Sequence, residues 1–365
     1  MNVRIIGDGL TSLSFAKYLV DRKIDVQVFH HVKKNNPISN RTIGISKNNF
    51  EFFVKEILNI QKKDFWEIKH IEIYSDKLKN KKILSFQETK TYLFCMIKNN
   101  KLNKLLNDKL SKNEFFKKNI IKSKDFYQRL LSEKKYDLII NCDSKNFIAK
   151  KFFSKTNKKT YNNYAYTTVI KHEISKNNTA IQVFTEYGPI AFLPISKTET
   201  SVVYSLDFNK NKYDDKKIIN LIQKHNPKYL IKKIKKLERF ELKSSSLRNY
   251  YHDNIIAFGD CLHKVHPLAG QGFNMTIRDL KVITKIIKNR IDLGMQLDST
   301  TCEEFEKKTR HINFIFSNGI DSIYEFFNFD KSFKDPKLNE ILKLIGKNRT
   351  LNNMFIKYAN EGLNI

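Results

Sequence analysis

Arginine is scarce in this chain. Of 67 basic residues only ten are arginine, although the formal net charge is +29 and the isoelectric point about 9.7. Such a charge invites a nucleic-acid partner, but a lysine-dominated surface without a recognised binding module argues against one. Lysine is spread through turns and helix exteriors, and runs such as Lys232-Lys233-Ile234-Lys235-Lys236 read as solvated faces. Attraction of a basic surface to anionic lipid is the functional alternative to compositional bias. Cysteine is equally sparse. Cys95, Cys142, Cys261 and Cys302 show neither Cys-x-x-Cys nor a matching histidine spacing, so no disulfide framework or zinc site is expected. His263 and His266 sit three apart without a third ligand. No apolar run is long enough to span a bilayer, no secretory leader is expected ahead of the first strand, and no repeat or low-complexity linker divides the chain. The expected location is cytoplasmic, with peripheral contact at the inner membrane face left open.

Residues 255–279 hold the strongest signal that is present. Ile255-Ile256-Ala257-Phe258 reads as a buried strand, Gly259-Asp260 ends it, and a helical pattern begins after Gly272. The loop between carries a carboxylate, two histidines, Pro267 and the triplet Gly270-Gln271-Gly272. A strand end leading into a helix N-terminus presents free N–H groups and a positive dipole end, which suits an anionic or electron-rich ligand. The glycines let backbone approach a flat ligand closely.

The amino terminus repeats the theme. Val3-Arg4-Ile5-Ile6 is a strand, Gly7-Asp8-Gly9-Leu10-Thr11-Ser12 a turn, and Leu13, Phe15, Ala16, Leu19 and Val20 recur at helical spacing. Ile24 to Phe29 is a second strand. That β-α-β unit is the setting a dinucleotide fingerprint requires. Ser12 stands at the third glycine. His30 stands where a ribose-binding acid is expected, and an imidazole offers only one acceptor nitrogen.

Together these segments resemble the FAD-dependent aromatic hydroxylases (class A flavin monooxygenases), and the wording Leu268-Ala269-Gly270-Gln271-Gly272-Phe273-Asn274 is similar to their ubiquinone-biosynthesis branch. The resemblance assigns the cofactor FAD to Gly7, Gly9, Ser12, Arg41, Asp260, Pro267, Gly270, Gln271, Gly272 and Asn274. Asp260 would meet the ribityl–pyrophosphate part, and Pro267 and Gln271 would face the flavin ring. Tyr136 to Asn141 matches a family strand that ends in Gly-Ala-Asp-Gly; here Asp143 is kept while Asn141 and Ser144 replace the glycines. Residues 164–206 read as a strand meander similar to the family's substrate sheet.

The resemblance implies an α/β fold: a Rossmann-like FAD-binding domain, an interleaved antiparallel-sheet substrate domain and a helical C-terminal region. The expected divisions are 1–75, 95–160 and 245–290 for FAD, 76–94 and 161–244 for the sheet, and 291–365 for the helices. Phe305, Ile312, Phe314, Ile315 and Ile320 are the expected core of the last part. The implied reaction is ring hydroxylation of a polyprenylated phenol on the way to ubiquinone, through a flavin C4a-hydroperoxide. It needs O₂ and electrons from NAD(P)H or another donor, and no protein nucleophile or base. A flavoenzyme for another lipid-like substrate remains an alternative. So does a non-catalytic subunit of a quinone-synthesis assembly, motivated by Ser12, His30, Asn141 and Ser144.

Overall fold

The computed structural model describes residues 1–32, 41–76, 81–88, 91–123, 125–133, 135–207, 213–265 and 271–329. Its first layer is a six-stranded sheet in the order Phe116–Ile120, Asp25–His30, Asn2–Ile6, Leu138–Asn141, Ile255–Ala257, Tyr251–His252. All neighbours run parallel except the last pair. Val3, Ile5, Ile140 and Ile256 are wholly buried, which is why these strands read as continuous apolar runs rather than alternating ones. The chain builds outward from Asn2–Ile6 in one direction and then, from Leu138 onward, in the other. That reversal is a topological switch point, where open α/β sheets place ligands beyond the carboxyl ends of the strands.

Helix Leu10–Val20 covers this sheet beside helix Asn99–Leu110. Phe15 meets Phe258 at 5.0 Å, and Phe258 meets Phe305 at 5.7 Å, so the core joins residues distant in sequence.

A nine-stranded sheet forms the second body, running from His263–Lys264 through Glu238–Leu247, Thr156–His172, Glu199–Asp207, Gly188–Pro194 and Thr179–Thr185 to His70–Ser75 and Lys81–Gln87. Strand Ile231–Ile234 pairs Thr156–His172 off this path. Helix Asp215–Lys224 lays Ile218, Leu221 and Ile222 against it, and the Asp214 side chain caps its start. The expected meander is therefore present, but the divisions shift. His70–Ser75, placed with the FAD segments by sequence, pairs in register with Thr179–Phe184, and Thr156–His172 starts before residue 161. The first strand lies wholly within an FAD segment and the second crosses a boundary, because ladder hydrogen bonds, not composition, decide which sheet a strand joins.

A small sheet of Thr42–Ser46, Phe94–Lys98 and Trp66–Ile68 lies beside both. Glu199 ties it in, reaching Lys98 at 2.7 Å and Lys235 at 2.9 Å. Burial pushes the Glu199 pKa up, but the two lysines outweigh it and hold the carboxyl below its usual range.

The carboxyl part contributes helices Gln271–Asp292 and Ser299–Phe329. Phe305 is buried as expected, whereas Phe314 is 60% exposed and Ile315 37% exposed. The buried stripe instead runs through Cys302, Phe305, Thr309, Asn313 and Phe316, because Asn313 is drawn inward by a buried acid described below. The side chain of Ile320 lies outside the described residues.

Candidate functional site

Three strands of the parallel sheet end at one place. The Gly7 N–H donates to Phe29 O at 2.8 Å, Cys142 N–H to Ile6 O at 2.9 Å, and Phe258 N–H to Asn141 O at 2.9 Å. Three segments singled out separately in the sequence thus share one edge, at the switch point.

Gly7 has φ +109°, a conformation that side-chain-bearing residues rarely adopt. A Cβ there would sit 3.2 Å from Ser12 Oγ and 3.5 Å from Cys142 Cβ. Ser12 is wholly buried beneath this turn, so its side chain serves packing rather than an open ligand surface. Gly9 differs. Its backbone is ordinary extended chain (φ −76°, ψ 175°) at the N-terminus of helix Leu10–Val20. No described atom lies within 4 Å of where its Cβ would be. The local fold does not require glycine here, and among the described residues the space over the first-turn N–H groups is open. That is the shape and polarity a pyrophosphate needs.

The two motifs touch. Gly259, at φ +59°, would place a Cβ 2.6 Å from Thr11 Cγ2. Asp260, next to it, is exposed and available to a ligand on that side.

At the end of the second strand, His30 shares a carboxylate with the first turn. Asp8 Oδ2 lies 3.7 Å from both His30 Nδ1 and Lys118 Nζ. The sequence alone assigns Asp8 no role beyond its place in the turn. The fold uses it to return an acid to a strand end that lacks one. Neighbouring His31 Nε2 lies 3.0 Å from the Tyr127 hydroxyl.

Asn141 and Ser144, read from sequence as lost glycines, make a clasp. Asn146 Nδ2 donates to Asn141 Oδ1 at 2.6 Å, while Asn146 Oδ1 accepts the Ala149 N–H and caps helix Phe147–Phe152. Lys264 Nζ donates to Ser144 Oγ at 3.0 Å, joining this turn to the Gly259-Asp260 segment. Burial pushes the Cys142 thiol beside it up to about 12.

His266, Pro267 and Gly270 lie outside the described residues, as does the side chain of Gln271. Gly272 lies in the first turn of helix Gln271–Asp292. A Cβ added there would meet Val265 Cγ2 at 4.0 Å, ordinary contact.

Asn274 is a different case from its expected role. Its Oδ1 accepts from Ser46 N–H at 2.9 Å and Asn49 Nδ2 at 3.1 Å, and its Nδ2 donates to Gly44 O at 2.9 Å. It is buried and fastens the helix to strand Thr42–Ser46. Arg41 immediately precedes that strand, exposed, with its guanidinium 5.1 Å from the Phe240 ring centre.

His263 also has a structural post. Its Nε2 bonds to Asp279 Oδ2, both side chains are buried, and Asn313 Nδ2 donates to the other Asp279 oxygen at 2.9 Å. The triad locks the short strand His263–Lys264 to both C-terminal helices.

Comparison with known proteins agrees with this fold. Residues 153–291 match a family described as the FAD binding domain. Over its whole length the chain superposes on p-nitrophenol 4-monooxygenase PnpA from Pseudomonas putida DLL-E4, with TM-score 0.76, 14% identity and 98% of that chain covered. It likewise matches a variant of Klebsiella pneumoniae HpxO complexed with FAD, with TM-score 0.72, 14% identity and 99% coverage of both chains. The fold is that of the FAD-dependent aromatic monooxygenases.

By sequence, the chain is similar to the ubiquinone biosynthesis monooxygenase COQ6 of Dictyostelium discoideum, with 24% identity over 60% of this chain and 54% of that protein. It is also similar to 3-demethoxyubiquinol 3-hydroxylase of Escherichia coli K12, with 27% identity over 44% of this chain and 42% of that protein. The chain spans about half the length of the curated relatives it matches.

Proposed function

We propose that this chain is a FAD-dependent monooxygenase that hydroxylates the aromatic ring of a polyprenylated phenol intermediate in ubiquinone biosynthesis. The observation that carries the cofactor reading is the open cradle at Gly9, where a normal backbone conformation leaves no local reason for glycine. The ubiquinone-pathway names of the relatives support the substrate class. FAD, when bound, supplies the activation of O₂ that puts one oxygen atom on the ring, with electrons from NAD(P)H or another donor.

In this reading the N–H groups after Gly9 hold the pyrophosphate, and Asp260 accepts from a ribityl or ribose hydroxyl. Asp8, steadied by His30 and Lys118, offers the acceptor that the second strand lacks. Arg41, Pro267, Gly270, Gln271 and Gly272 complete the flavin contacts, Pro267 and Gln271 on the ring side. The chain's own task is to orient the phenol ring and exclude water; it needs no side chain as nucleophile or base. Asn274 acts at one remove, by fixing the helix that carries Gly272. The nine-stranded sheet is the substrate side, the parallel sheet the cofactor side and the last helices their support. Peripheral contact with a membrane, and with a quinone-synthesis assembly, follows from a lipid-like substrate. No described helix is long and apolar enough to cross a bilayer.

The test is a turnover experiment with FAD-loaded protein, a polyprenylated phenol, NAD(P)H and isotopically heavy O₂. The expected product carries one heavy oxygen on the ring. Donor consumption that yields only hydrogen peroxide with every phenol offered would overturn the substrate assignment.

A further inference from the structure

At one end of the nine-stranded sheet, three connections converge: residues 173–178, residues 195–198 and the chain entering Ile231–Ile234. They are tied together, Glu173 N–H to Leu230 O at 3.3 Å, Ser175 N–H to Lys197 O at 3.1 Å and His172 N–H to Thr198 O at 3.0 Å. Beneath them Asn177 is fully engaged, donating to Ser196 O at 2.8 Å and accepting from the Tyr229 hydroxyl at 2.9 Å. The tip is therefore a fixed platform.

From that platform two aliphatic side chains project into solvent, Ile174 at 79% exposure and Leu230 at 69%. Around them stand exposed Lys171, Lys176, Lys197, Lys228, Lys232 and Lys233. Against these the tip sets Glu173, which is paired with Lys232 at 3.5 Å. In the strand register Lys171 lies opposite Glu199 on one side and opposite Lys233 on the other. Like charges in that position are destabilising, and among the described residues no ion pair reaches either.

We propose that this tip docks on an anionic lipid bilayer, Ile174 and Leu230 entering the headgroup–acyl boundary while the lysines meet the headgroups. The pairing of protruding aliphatic groups with a lysine rim is what such a surface recognises. A single-stranded nucleic acid would call instead for aromatic groups on which bases stack, and duplex phosphates would give the protruding aliphatic groups no partner. The inference deepens the membrane contact proposed above and does not depend on the flavin chemistry. The long strand Thr156–His172 separates the tip from its other end, where Thr156 pairs with Leu247 near the cofactor motif. At about 3.3 Å per residue that separation is roughly 50 Å.

The test is cosedimentation of the full chain with vesicles of phosphatidylcholine alone or mixed with phosphatidylglycerol. Two double variants serve, Ile174→Asp/Leu230→Asp and Lys171→Glu/Lys233→Glu, with circular dichroism as the check on folding. The unmodified protein is expected to pellet with the mixed vesicles and not with the neutral ones. Each double variant is expected to lose about tenfold or more in partitioning. The proposal is overturned if the unmodified protein ignores mixed vesicles, if it binds neutral ones equally, or if either folded variant binds as well as the parent. None of those outcomes bears on whether the protein holds FAD.

Discussion

Gly9→Glu is expected to yield a protein that folds normally and carries no flavin. The backbone at Gly9 is extended and accessible to any residue, and no described atom stands in the way of a side chain. The fold therefore loses little, and the denaturation midpoint of the flavin-free protein should move by no more than a substitution on an open surface usually causes. The ligand loses a great deal. A glutamate carboxylate would fill the space above the first helical turn and put negative charge where a pyrophosphate must sit. FAD affinity should fall by about a thousandfold, roughly 4 kcal/mol, measured by flavin fluorescence titration. Asp260→Ala is the graded companion: one hydroxyl partner is lost, and affinity should fall about tenfold. Normal affinity in the Gly9 variant would remove the cradle from the account.

His263→Ala is expected to cost stability rather than cofactor contact. The imidazole is the buried partner of Asp279, and only Asn313 would remain to satisfy that carboxyl group. Breaking one side of a buried pair costs on the order of 3–5 kcal/mol. The loss should appear as a lower denaturant midpoint. Replacing both partners, His263→Leu with Asp279→Leu, should be milder than the single change, because the buried carboxyl group is removed with its partner and only the Asn313 amide loses an acceptor. A double variant worse than the single one would contradict this reading of the triad.

Much of the fold was legible in the sequence wherever one face or one strand is wholly buried. The apolar runs at 3–6, 138–141 and 255–258 announce strands, and the β-branched and aromatic stretches from 164 to 206 announce the meander. The glycine turns were legible too, because a loop between a strand and a helix restricts its residue types strongly. What sequence did not disclose are the partners of polar residues. Asn274 reads as part of a flavin motif, yet its amide is engaged by Ser46, Asn49 and Gly44, more than two hundred residues away in the chain.

His263 reads as one of two motif histidines, and Asp279 as an ordinary helix acid; only packing brings them together. Phe314 and Ile315 fit an apolar helical period, but Thr309 and Asn313 take the buried face because Asp279 lies opposite. Asn141 and Ser144 look like losses when set beside a glycine pattern. In three dimensions they gain Asn146 and Lys264 as partners, so the turn is rebuilt rather than abandoned. Asp8 makes the same point at the other strand end, since its relation to His30 and Lys118 is set by sheet order.

The most direct measurement of the central claim is the visible absorption spectrum of the purified protein, with the cofactor released by heat and identified by chromatography. Flavin bands and released FAD are the expected result, and they would show that His30, Asn141 and Ser144 are compatible with retention. A colourless protein that also takes up no added FAD would contradict the account and favour a non-catalytic role for the fold.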